Sequence, residues 1–124
     1  MKRHVVVARL IALLAGLGVA LSANAGYSCG GLVGYLAIND TGSVITQIVS
    51  SPATAQHYIC NMNAQSPYQM GVQSCKVAYA ALMMAKVSGK SIRLYYSDAT
   101  PGAGCGTMAN GSVQTTTYFV EGPY

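Results

Sequence analysis

Four cysteines constrain this chain more than any other feature. Cys29, Cys60, Cys75 and Cys105 all follow a leader-like segment. Residues 1–25 carry Lys2, Arg3 and Arg9, an apolar run over residues 10–21, and then Ala23-Asn24-Ala25. A basic start, an apolar core and a small-x-small exit form the pattern of a secretory signal peptide. We therefore expect cleavage after Ala25, one domain over residues 26–124, and export to the periplasm or beyond the cell. An even number of cysteines in a small exported chain reads as a disulfide framework. A zinc site is the weaker reading, because no two cysteines lie as close as zinc modules place them. Four cysteines allow three pairings. The favoured one joins Cys60 to Cys75 across a short loop, and Cys29 to Cys105 from the N-terminal segment to a late loop. Each bridge would add about 2–4 kcal/mol by restricting the unfolded chain, a useful support where the core is small.

The charge balance changes once the leader is set aside. The chain has a formal charge of +4, but Lys2, Arg3 and Arg9 belong to the leader. Lys76, Lys86, Lys90 and Arg93 then face Asp40, Asp98 and Glu121. A nearly neutral domain has no electrostatic footprint for nucleic acid. After the leader, the most apolar stretch, residues 77–87, is too short to cross a bilayer and contains Lys86. No phosphate loop or metal-ligand spacing is present, and no cofactor is expected.

The pattern along the chain predicts several strands, one helix and then two strands. Residues 26–31 read as a small-residue lead-in and residues 32–38 as a strand. Asn39-Asp40-Thr41-Gly42 is a turn. Residues 43–49 and 57–62 read as strands, the second with Tyr58, Cys60 and Met62 on one side. A further short strand is expected over residues 70–74. From Lys76 to Ser88 there is neither Gly nor Pro, and Ala, Leu and Met favour a helix. The helix is expected over about residues 75–88, with Ser74 as N-cap and Gly89 as its stop. Val77, Ala80, Ala81, Met84 and Val87 recur at helical spacing and form one apolar face. Met83 and Met84 read as packing residues. Strands over residues 91–96 and 113–120 complete the chain. The fold class is β-dominated α+β, a small OB-like antiparallel barrel crossed by one helix and stabilised by disulfides.

Catalytic chemistry finds little support. His57 is the one histidine after the leader and has no acidic neighbour in sequence. The three carboxylates are scattered, and a Gly-x-Ser-x-Gly elbow is absent. Nine tyrosines stand beside one phenylalanine and no tryptophan. Tyrosine combines a flat apolar face with a hydroxyl, which suits sugars and protein interfaces.

Four segments carry a resemblance to a known group. They are Thr41-Gly-Ser-Val-Ile-Thr-Gln-Ile48, Tyr58-Ile-Cys60, Cys75 before the helix, and residues 80–96, which read AALMMAKVSGKSIRLYY. In these segments the chain resembles the B subunits of subtilase cytotoxin and the pertussis-like typhoid toxin. The resemblance implies a small secreted barrel that forms a ring of five and binds sialylated host glycans without being an enzyme. It implies a glycan contact at Thr41, with Ser43 and Tyr35 as further candidates. It also implies a helix at the assembly interface, with Lys76, Tyr79, Met83 and Lys86 as candidates, and a toxin A subunit as a possible partner. A monomeric exported protein of the same fold, binding a protein or an envelope component, is the alternative. An inhibitor would be one form of it.

Overall fold

The longest strand carries the smallest residues. The computed structural model describes residues 26–124; the expected leader, residues 1–25, lies outside the described residues. Strand β1, Tyr27–Ile38, pairs antiparallel with two different partners. Its first half, Tyr27 to Gly31, lies beside β4, Ile92–Tyr96. Its second half, from Leu32, lies beside β2, Ser43–Val49. Residues 26–31 are therefore mostly strand rather than a lead-in. Ser28, Gly30 and Gly31 carry no strand propensity; the pairing with β4 overrides it. Gly31 sits where the strand turns from one partner to the other. A Cβ there would lie 2.4 Å from the Val49 carbonyl oxygen, so only glycine fits.

Strand β3, His57–Asn61, pairs antiparallel with β2. The short β5, Ser112–Val113, joins β3 in parallel. Strand β6, Thr117–Glu121, pairs antiparallel with β4. The order is β5-β3-β2-β1-β4-β6 in one mixed sheet of six strands. The expected final strand over residues 113–120 is thus two strands at opposite edges of the sheet. Laid flat, the five gaps between strands would separate those edges by roughly 24 Å. From Val113 to Thr117 the chain reaches about 14 Å when fully extended, so the sheet must curl. Gln114 N–H donates to the Tyr58 carbonyl (2.8 Å) and Ser97 N–H to the Thr116 carbonyl (3.0 Å), pinning the connector to both halves. No ladder joins β5 to β6, so the sheet is strongly curled but not closed.

Helix α1, Val72–Ser88, starts earlier than expected, and the short strand over residues 70–74 is not formed. Gly71 is the N-cap in place of Ser74, and Gly89 ends the helix in the left-handed region at φ 66°, its N–H bonding the Ala85 carbonyl. The buried stripe is Cys75, Ala78, Leu82 and Ala85. This corrects the expected packing face: Val77 is 70% exposed, Met84 61% and Val87 81%. The cause is covalent. Cys60 is fully buried in β3 and is bonded to Cys75, so the Cys75 side of the helix must turn inward. The second bridge joins Cys29 in β1 to Cys105, in a 3-10 turn over Cys105–Thr107. Both bridges follow the favoured pairing.

The core gathers Val33, Val44, Ile48, Ile59, Leu82, Ile92, Leu94 and Tyr96 around the two disulfides. Strand β3 breaks strict alternation. Val44 pairs with Cys60 and Ile45 with Tyr58, leaving Ile59 as an extra residue. Such a bulge lets neighbouring residues point to the same side, and both Ile59 and Cys60 are buried. The side predicted for Tyr58, Cys60 and Met62 is corrected accordingly: His57, Ile59 and Cys60 face inward and Tyr58 is half-buried.

Candidate functional site

The turn between β1 and β2 holds the first two predicted glycan contacts. Asn39 organises it. Its side-chain oxygen accepts from Thr41 Oγ1 (2.8 Å), Thr41 N–H (3.2 Å) and Ser43 N–H (2.8 Å). This is the local bonding that makes asparagine a turn former. Asn61, at the end of β3, donates from Nδ2 to Ser43 Oγ (2.9 Å) and to the Thr41 carbonyl (3.2 Å). Asn63 Nδ2 donates to the same carbonyl at 3.1 Å. Thr41 and Ser43 are therefore brought together, with their hydroxyl oxygens 3.4 Å apart. Thr41 is exposed and Ser43 is buried. Tyr35 does not join them. It pairs with Gln47, four residues along β2 from Ser43, roughly 13 Å away at strand spacing.

The predicted assembly residues occupy one flank of α1. Lys76 and Met83 are exposed, and Tyr79 is partly buried against the core. Lys86 crosses to β1, where Nζ donates to the Gly34 carbonyl at 2.9 Å. The broader apolar surface is the neighbouring stripe of Val77, Ala80, Met84 and Val87. Next to it, α1 and β6 enclose a groove of about 370 Å³, lined by Val77, Ala81, Tyr118 and Phe119 among others. None of the three principal clefts among the described residues includes Thr41 or Ser43.

His57 is fully buried, with Nδ1 2.8 Å from the Ala55 carbonyl and Nε2 2.7 Å from the Tyr96 hydroxyl. A carbonyl only accepts, so Nδ1 carries the proton and Tyr96 donates to Nε2. Burial lowers the His57 pKa from the ordinary histidine value and raises that of Tyr96. Both groups stay neutral, and Tyr27 stacks on Tyr96 with ring centroids 4.9 Å apart. The carboxylates lie in three separate elements. Asp40 is in the first turn, Asp98 accepts from Thr100 N–H at 2.9 Å, and Glu121 accepts from the Tyr95 hydroxyl at 2.5 Å. Among the described residues no group of three metal-binding side chains comes together.

Comparison with protein-family models, curated proteins and solved structures gives no match. The functional reading therefore rests on this chain's own geometry and on the four segments quoted above.

One cluster escaped the reading of the sequence. Arg93, Tyr95, Phe119 and Glu121 share the outer face of β4 and β6, with Arg93 paired to Glu121 and Tyr95 to Phe119. A bulge at Tyr118 brings that ring to the same side, 6.3 Å from Tyr95. Alternation in residues 92–96 was the available signal: if Ile92, Leu94 and Tyr96 face in, Arg93 and Tyr95 face out.

Proposed function

We propose that the chain is an exported, non-enzymatic binding subunit that assembles into a ring through α1 and recognises sialylated or related host glycans. The observation that carries this reading is the solvent side of the helix. A surface helix normally alternates an apolar stripe with a polar one. Here Val77, Ala80, Met84 and Val87 lie on the side away from the core, and Lys76 and Lys86 are the helix's charged residues. Such a surface is costly in water and favours association. The curled sheet crossed by one helix supports a small OB-like barrel. The two disulfides suit an oxidising compartment, and among the described residues no helix is long and apolar enough to cross a membrane.

Each copy would present Thr41, with Ser43 behind it, as hydrogen-bonding groups, and Tyr35 further along β1. Weak contacts at every copy, engaged together, can raise avidity by about 10²–10⁴-fold. A toxin-type A subunit would dock on the helix side of such a ring. The test is the mass of the oxidised protein by light scattering, followed by a glycan array with Thr41→Ala as control. A pentamer that binds glycans is the expected result. A monomer that binds none would favour the second reading, an exported protein that receives a protein partner in the apolar groove between α1 and β6.

A further inference from the structure

The outer face of β4 and β6 collects unlike groups at one spot. Among the residues after the leader, Arg93 is the one arginine and Glu121 the one glutamate, and β-pairing sets them opposite each other. Around them stand four aromatic rings. Tyr95 lies 5.5 Å from Phe119 and 6.3 Å from Tyr118, ring centre to ring centre. Tyr118, Phe119 and Tyr124 are each about half exposed, at 48%, 50% and 58%. Tyr124 is drawn back to the sheet by its N–H, which donates to the Ser91 carbonyl at 2.9 Å.

The arrangement is held in place. Gly30 faces Arg93 across the β1–β4 pair. A Cβ on Gly30 would meet the Arg93 Nε at 3.0 Å, so the arginine stem lies down over the bare backbone of β1. The Tyr95 hydroxyl bonds Glu121 Oε2. The same carboxylate pushes the Tyr124 hydroxyl up to about 12, so it stays a donor at any physiological pH. Cross-strand stabilisation of the sheet accounts for the Tyr95–Phe119 pair and for the opposite charges of Arg93 and Glu121. It does not account for the bulge that adds Tyr118.

We infer that this face, formed by Arg93, Tyr95, Tyr118, Phe119, Glu121 and Tyr124, is a binding platform for a neutral pyranose. The inference rests on the glycan-binding reading above but places a sugar contact on a different face from the β1–β2 turn. A pyranose offers an apolar C–H face and a rim of hydroxyls. Exposed rings supply the apolar counterpart. A guanidinium donates and a carboxylate accepts, which together satisfy a pair of neighbouring hydroxyls. The opposite charges of Arg93 and Glu121 cancel, so the platform does not select an anion. A neutral sugar is matched better than a sialic acid.

The experiment is a titration of the oxidised full-length secreted protein with the methyl glycosides of galactose, mannose and N-acetylglucosamine, and with sialyllactose, read by protein NMR. The variants are Arg93→Gln, Glu121→Gln, Tyr124→Phe and Thr41→Ala, each checked for an unchanged thermal midpoint. Arg93, Glu121 and Tyr124 lie at the surface, so their loss leaves the core intact. The expected result is a neutral glycoside that shifts the Arg93 and Tyr95 resonances. Its affinity falls about tenfold in Arg93→Gln and Glu121→Gln, as for loss of a charge-assisted hydrogen bond, and is unchanged in Thr41→Ala. Binding that survives the three sheet variants and is lost in Thr41→Ala would overturn the platform while leaving glycan recognition standing. Binding of sialyllactose alone, with no shift at Arg93 or Tyr95, would do the same. No binding of any of the four sugars, by the ring or by the monomer, would remove both.

Discussion

At the scale of single residues, His57 shows how a group that looks chemical becomes structural. The only histidine among the described residues is a natural candidate for a base, yet β3 turns it into the core. There its two ring nitrogens are used up by the Ala55 carbonyl and the Tyr96 hydroxyl. Burial holds its folded-state pKa below the ordinary value of 6.5. The unfolded chain therefore takes up a proton first as the pH falls. Stability is whole above about pH 6.5 and is lost as the pH drops below that value toward the folded-state pKa. We expect the thermal midpoint to fall between pH 7.5 and 5, a range in which ordinary carboxylates remain largely ionised. His57→Gln should be less stable at pH 7.5 by about 1–3 kcal/mol, because the Ala55 carbonyl loses the donor that the Nδ1–H supplies. Its midpoint should be flat over the same range. Melting curves of both proteins at several pH values decide this, and an equal acid slope in the two would remove His57 as the cause.

At the scale of elements, α1 explains which parts of the fold were legible. Strands β2 and β4, the Asn39–Gly42 turn and the helix stop at Gly89 all follow from alternation and turn chemistry. The helix face does not, because α1 lacks a polar side to set against an apolar one. Val77, Ala80, Ala81, Met84 and Val87 form a stripe, and so do Cys75, Ala78, Leu82 and Ala85. The deciding residue is Cys75, since a helix tethered to a strand must present its bridge to the sheet. The first half of β1 was hidden for another reason: its small residues have no side-chain signal, and only pairing with β4 makes them a strand. In the candidate site, Thr41 and Ser43 do meet, whereas Tyr35 is displaced by register, which sequence spacing within a hairpin does not reveal by itself. The two helix stripes predict opposite responses. Leu82→Ala should cost about 2–5 kcal/mol, as a buried leucine does, and change the melt of the monomer. Val77→Glu and Met84→Glu should leave that melt within about 0.5 kcal/mol, as surface changes do, and abolish the proposed ring. Light scattering beside thermal melts separates the two effects.

For the whole molecule, the two disulfides divide the work unequally. Cys60–Cys75 closes a separation of 15 residues and fixes the helix to β3. Cys29–Cys105 closes a separation of 76 and fastens the loop after β4 to the first strand. It thus ties the connection that leads into edge strand β5 to the interior strand β1 of a sheet that curls without closing. In the chain-entropy account the short loop is worth about 3 kcal/mol and the long one about 4.5 kcal/mol. Cys29→Ala with Cys105→Ala should therefore lower the thermal midpoint more than Cys60→Ala with Cys75→Ala. The modes of failure should differ as well. Without the long bridge, the connector through Gln114 still holds the sheet's edges, so a weakened but cooperative melt is expected. Without the short bridge, Cys75 no longer fixes which stripe of α1 faces inward, and two apolar faces compete for the same sheet. That variant should bind a hydrophobic dye below its melting transition, the mark of a helix no longer docked in one register. If instead the short-bridge variant melts lower and binds no dye, loop entropy and the tether argument both fail, and the packing of Ala78, Leu82 and Ala85 alone must be what orients the helix.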